Sequence, residues 1–264
     1  MRVRKVFAVL GTLLALAAVV PSGAGAAEDR QSAKKPTVVL VHGAFADASS
    51  WNGVAERLQR KGFTVVAVAN PLRSVSGDAN YLRQVLASID GPIVLAGHSY
   101  GGMVQSQAAL GNPNVKALVY VAAFAPEKGE SVLDLSNKFP GSTLGDTLSA
   151  IDLGDGSKDM TIQQDKYWQQ FAADLSRKDA TLAAATQRPI NDTALGEKAG
   201  DPAWHRIPSY FVNAGKDKNI PIAAQRFMAE RAHARAVVEV KDASHSVAVS
   251  HPETVADLIV RAAR

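Results

Sequence analysis

Leu95-Ala-Gly-His-Ser-Tyr-Gly-Gly-Met103 corners one serine between two glycines, in the order Gly97-His98-Ser99-Tyr100-Gly101. This G-x-S-x-G spacing suits a strained strand-to-helix turn that lifts a serine hydroxyl clear of the backbone as a nucleophile. A glycine-rich turn without chemistry has the same composition, so what surrounds the motif decides. A hydroxyl is a weak nucleophile by itself. It needs a histidine to take its proton and a carboxylate to hold that histidine in one tautomer. At an elbow of this kind the order along the chain is serine, acid, histidine.

His245, in Lys241-Asp-Ala-Ser-His245, falls between the last apolar run and the last amphipathic segment, and is the candidate base. Asp217, in Asn213-Ala-Gly-Lys-Asp217, follows another such run and is the preferred acid. Asp242 is its rival, but only three residues separate it from His245, a distance suited to local turn bonds. Acyl chemistry also needs two amides for the developing oxyanion. The residue after the nucleophile, Tyr100, supplies one; His42-Gly-Ala-Phe45 after the first apolar run offers Ala44 as the second. Phe45 and Trp168 are the candidate substrate contacts, although Trp168, Phe171 and Leu175 have a helical spacing that is more often core than substrate contact.

Elements that could hold these residues are visible in the pattern. Thr37–Val41, Thr64–Ala69, Pro92–Ala96, Ala117–Val121, Tyr210–Asn213 and Ala236–Val240 are apolar runs without polar alternation, as expected of strands buried on both faces of a parallel sheet. Between them Trp51, Val54, Ala55 and Leu58, and again Leu82, Val85, Leu86 and Ile89, recur at helical spacing. Met103–Leu110 reads as a helix, and Val255, Leu258, Ile259 and Ala262 mark a final one, with Ser250 and Glu253 placed for a capping box. The alternation predicts a doubly wound, mostly parallel α/β sheet. From about 127 to 206 no strand run of this kind occurs, and an inserted helical cap is expected there.

Several classes are excluded or disfavoured. The chain of 264 residues has no cysteine, which removes disulfides, thiolate metal ligands and a cysteine nucleophile. Its six histidines include no H-E-x-x-H, and no metal is expected. Arg2, Arg4 and Lys5, the apolar run Val6–Val20 and Ala24-Gly-Ala26 have the layout of a secretory signal, expected over residues 1–26, with one domain over 27–264. The apolar run is shorter than the roughly twenty residues that span a bilayer, so export without stable membrane association is expected. The formal charge of +4 counts those three basic residues, and no basic block with interleaved aromatics follows, so nucleic acid is not an expected partner.

Taken together, Val38–Trp51, Val94–Met103, Leu118–Pro126, Asp217–Pro221 and Ala243–Pro252 resemble the α/β-hydrolase superfamily, in particular small cofactor-free esterases related to plant methyl-ester esterases and hydroxynitrile lyases. The resemblance implies the α/β-hydrolase fold, a triad of Ser99, Asp217 and His245, oxyanion donors Ala44 and Tyr100, no cofactor, and a small-molecule ester or lactone as substrate. The same triad would serve a hydroxynitrile lyase or a cofactor-free perhydrolase, and a non-catalytic ligand-binding protein is the further alternative. In the lyases a threonine follows the first histidine and a lysine follows the catalytic one. Here Gly43 and Ser246 occupy those places, which favours hydrolysis.

Overall fold

Consecutive β-branched residues with no polar alternation belong where both faces are covered, and Thr37–Val41 forms a strand, β1, buried along its whole length. The computed structural model describes Met1 and residues 35–264. The expected secretory signal at residues 1–26 lies almost entirely outside them. After β1 the chain continues through α1 (Asn52–Arg60), β2 (Val65–Val68), α2 (Val75–Ala87), β3 (Ile93–His98), α3 (Tyr100–Ala108) and β4 (Val115–Val121). An insertion follows, with α4 (Val132–Asn137), β5 (Leu148–Asp152), β6 (Lys158–Ile162), α5 (Gln164–Phe171), α6 (Arg177–Thr186), β7 (Ile190–Asn191) and α7 (Asp192–Gly196). The alternation then resumes with β8 (Ser209–Ala214), α8 (Ile222–Arg231), β9 (Ala236–Val240), α9 (Val247–Ser250) and α10 (Pro252–Ala262).

Six strands form one sheet in the order β2-β1-β3-β4-β8-β9, every neighbouring pair parallel. Because side chains alternate across a strand, Val39 and Val41 of β1 join one core with Leu82 and Met103, while Val38 and Leu40 join the other with Leu58 and Leu258. Both faces are therefore covered by helices, as the runs predicted. Strand order reverses between β1 and β3, and in open α/β sheets ligands collect at the carboxyl ends of strands flanking such a switch point. His42-Gly43-Ala44 leaves one of those ends and Ser99 the other.

Two expectations change. The insertion is mixed rather than helical, since β5, β6 and β7 make a three-stranded antiparallel sheet. β5 is largely exposed, so its residues carry no buried apolar run, and the hairpin is marked only by its turn glycines Gly154 and Gly156 at φ 77° and 90°. The Ser250–Glu253 capping box does not form. Proline fits the first helical position, where its missing N–H costs nothing, so α10 begins at Pro252 and its N-cap falls on His251. Ser250 instead lies within 2.8 Å of His251 Nδ1.

Candidate active site

Ser99 sits between β3 and α3 at φ 53° and ψ −122°, a conformation that a residue with a Cβ adopts only under constraint. The constraint is backbone crowding. A Cβ on Gly97 would lie 2.6 Å from the Gly101 carbonyl oxygen, and one on Gly101 would overlap the Val41 carbonyl of β1. Ser99 is itself anchored, its N–H donating to Val121 O at 3.3 Å and its carbonyl accepting from Gly102 and Phe124 at 3.0 and 3.2 Å.

His245 follows β9, and its Nδ1 lies 2.6 Å from Asp217 Oδ2, with both side chains almost wholly excluded from solvent. The loop after β8 holds that carboxylate firmly: Oδ1 accepts from the Asn219 and Ile220 amides at 2.7 and 2.9 Å, and Oδ2 also accepts from Gln225 Nε2 at 3.0 Å. A carboxylate can only accept, so Nδ1 carries the imidazole proton and Nε2 presents a lone pair. Nε2 is buried and has no partner among the described residues. Asp242, the rival acid, is exposed and pairs with Lys216 Nζ at 2.7 Å, and that ammonium holds its carboxyl below the usual range.

The elbow and the histidine are joined through His98, whose Nε2 donates to the His245 carbonyl at 2.9 Å and whose ring stands 4.7 Å from the His245 ring. Burial, then the neighbouring His245, pushes the His98 imidazole well below its ordinary pKa, so it remains a neutral donor.

Ala44 and Tyr100 are both buried, and neither amide finds an acceptor among the described residues. Tyr100 is the first residue of α3, where amides have no partner within the helix. The preceding residue Gly43 packs so tightly that a Cβ there would lie 2.6 Å from Ser99 Cβ. With Phe45, these residues line a cavity of about 30 Å³ over Ser99, closed by Phe124, Val132 and Leu195 among others. Phe45 thus borders the space over Ser99. Trp168 does not: its indole donates to Leu175 O at 3.0 Å and lies under the Arg177 guanidinium at 3.6 Å. The inward face of α5 is instead Tyr167 and Phe171; Trp168 is one residue past Tyr167, about 100° around the helix.

Two supports escaped the sequence reading. Asn70, at the end of β2, donates through its amide N–H to His42 Nε2 and through Nδ2 to His42 O, both at 3.0 Å, which pins the loop carrying Ala44. The His42 imidazole, lowered chiefly by burial, stays neutral and can accept that bond. Asp78, raised by burial, accepts from the Tyr100 hydroxyl at 2.9 Å and fixes the residue beside the nucleophile. A polar residue closing an otherwise apolar strand, as in Val68-Ala-Asn70, was the available signal for the first.

The sequence profile of the alpha/beta hydrolase family matches residues 38–258. Methylesterase 9 of Arabidopsis thaliana is 26% identical over 248 residues, covering 85% of this chain and 97% of its own. An alpha-hydroxynitrile lyase of the same plant is 25% identical over 247 residues, covering 85% and 95%. The crystal structure of polyneuridine aldehyde esterase superposes with a TM-score of 0.74 at 24% identity, covering 86% of this chain and 99% of that one.

Proposed function

The chain belongs to the alpha/beta hydrolase family, and on that premise we propose that it is a secreted serine esterase acting on carboxylic esters or lactones of small molecules. The observation that carries the reading is the buried His245–Asp217 pair: its Nε2 is unpartnered among the described residues, and the His245 backbone carbonyl accepts from His98 of the strained elbow that carries Ser99. Relatives named as esterases support the same reaction class.

Ser99 Oγ bonds to the ester carbonyl carbon while its proton passes to His245 Nε2. Asp217 stabilises the resulting imidazolium, and the Ala44 and Tyr100 amides donate to the oxyanion. The C–O bond to the alcohol then breaks, and that oxygen leaves with the proton from Nε2. Water repeats the sequence on the acyl-serine, giving the acid and restoring Ser99. No cofactor enters these steps.

Carbon–carbon cleavage of a cyanohydrin fits less well. The position after His245 is Ser246, whose hydroxyl donates to Phe171 O at 3.0 Å and supplies no cation for departing cyanide. A threonine at 43 would have to enter the space that Ser99 Cβ and the His98 carbonyl fill. The test offers purified protein a short-chain aryl ester and mandelonitrile at one pH. Ester turnover that vanishes in Ser99→Ala, with cyanide release at background, is the expected result; cyanide release outpacing ester hydrolysis would refute it. Export rests on residues 1–27 alone, and amino-terminal sequencing of protein from the medium should find a start after Ala26 or Ala27. A chain that stays in the membrane and begins at Met1 would refute export.

A further inference from the structure

A cavity over Ser99 and a second one bordered by Ser246, the residue after His245, differ in size and chemistry. The one over Ser99 measures about 30 Å³, room for only about two water molecules. The second measures about 310 Å³ and lies between the loop after β1, α5, α6 and the residue after His245. Phe171 lines the larger cavity, and its ring meets the His245 ring edge-on at 4.8 Å between centroids and the ring of Phe45, which lines the smaller cavity, at 6.4 Å.

The larger cavity presents carbon. Ala46, Phe171, Leu175, Leu182, Ala183 and Val249 supply its apolar wall, and Leu182 and Val249, at 65% and 43% exposure, carry that surface to the rim. Its hydroxyls turn away from the space: Tyr167 donates to Phe45 O at 2.9 Å, Ser50 to Asp47 O at 2.6 Å, and Thr186 to Leu182 O at 3.0 Å. Gln187 spends its amide on Ile162 and Ala184. The charged side chains in the lining are the carboxylates Asp47 and Asp179, with no lysine or arginine. Such a wall favours a neutral apolar group and repels an anion, the charge that a product acid carries.

The two sides of an ester are distinguishable here. Its leaving oxygen must come within hydrogen-bond reach of His245 Nε2 to receive the proton, so the alcohol belongs on the histidine side, while the carbonyl oxygen and acyl carbons lie against Ala44 and Tyr100. Resting on the esterase reading, we propose that the cavity bounded by Phe171, Leu182 and Ala183 receives the alcohol portion of the substrate. The substrate class is then short-chain acyl esters, such as acetates, of bulky, uncharged, apolar alcohols. Phe171 is the residue that must shift to admit that group beside His245.

A pair of isomers tests this: 1-naphthylmethyl acetate, with the ring on the alcohol, and methyl 1-naphthylacetate, with the ring on the acid. Both leave an alkoxide of similar basicity, so the ratio of kcat/KM reports which side holds the bulk. The acetate should be preferred by about tenfold or more. Ala183→Phe, which fills the cavity from its helix position, should lower kcat/KM for that acetate by about tenfold and bring the ratio between the two isomers toward one. Preference for methyl 1-naphthylacetate would overturn the proposal and leave the esterase reading intact. An acetate preference untouched by Ala183→Phe would overturn the assigned location. Hydrolysis of neither isomer nor of ethyl acetate would overturn this proposal and the esterase reading together.

Discussion

Ile93–His98 and Leu148–Asp152 are both strands, but every residue of the first is buried, whereas four of the five in the second are exposed. The first lies inside a sheet covered on both faces and delivers Ser99 at its end; the second belongs to the hairpin sheet of the insertion. Groups positioned by the sheet inherit the rigidity of close-packed neighbours on every side. The insertion buries Ile162, Tyr167 and Phe171 in the core, but its hairpin relies on turns, an exposed ladder and ion pairs such as Arg73 with Asp159 at 2.6 Å. The proposed reaction chemistry therefore resides in the close-packed sheet, and the walls proposed to meet substrate lie partly in the insertion.

The largest contrast should come from two aspartates after neighbouring strands. Asp217→Asn should lower kcat by about 10⁴-fold, the scale seen when a triad carboxylate is neutralised, while Asp242→Asn, at an exposed ion pair, should change it by less than about twofold. Steady-state rates on a short-chain ester decide, and equal losses would erase the distinction between a buried and an exposed carboxylate.

Glycine substitutions sharpen the comparison at the level of stability. Gly101→Ala drives a methyl into the Val41 carbonyl and should cost about 3 kcal/mol. Gly154→Ala, at φ 77° with nothing within 4 Å, should cost about 1 kcal/mol from backbone strain alone. Urea unfolding curves separate the two, and a hairpin variant as unstable as the elbow variant would contradict the argument.

Acid should loosen the sheet edge before the insertion. His42 and His98 have folded-state pKa values lowered chiefly by burial, so above about pH 6.5, where both states are neutral, their burial costs no proton. Below it only the unfolded chain takes up protons, and stability falls as pH drops toward the folded values, by up to about 1.4 kcal/mol per pH unit for each histidine. The histidine of the insertion, His205, is half exposed beside Glu127. Unfolding free energies at pH 7.5 and 5.5 should differ accordingly in wild type, and less in His98→Gln; a flat profile would count against neutral burial. The smallest effect is expected at Ile151, 59% exposed in β5, where Ile151→Ser should stay within about 0.5 kcal/mol of wild type.

The same contrast explains what could be read from residue order. Thr37–Val41 was recognisable as a strand to the residue because burial on both faces demands an uninterrupted apolar run, and Ala236–Val240, a partly exposed edge strand, was recognisable from its β-branched residues instead. Ser99, Asp217 and His245 each follow a strand run, and strands that all point one way bring the segments carrying them to one edge of the sheet. β5 and β6 were not legible, since exposed strands need no apolar pattern and their pairing lies in the backbone. Trp168 was misplaced because spacing identifies a helical face without saying which neighbouring residue turns inward. Asn70 and Asp78 act on His42 and Tyr100 across 28 and 22 residues, and no local pattern carries such pairings.

Around the turn that carries Ser99, four glycines, Gly43, Gly97, Gly101 and Gly102, meet backbone or Ser99 side-chain atoms where a Cβ would stand. Every possible replacement for glycine carries that carbon. A descendant of this gene therefore has no graded route through these positions: no milder amino acid lies between the native one and a collision. Drift can reshape Leu182, Ala183 or the hairpin in small steps, and with them the molecules accepted. The elbow is passed on whole or it is lost.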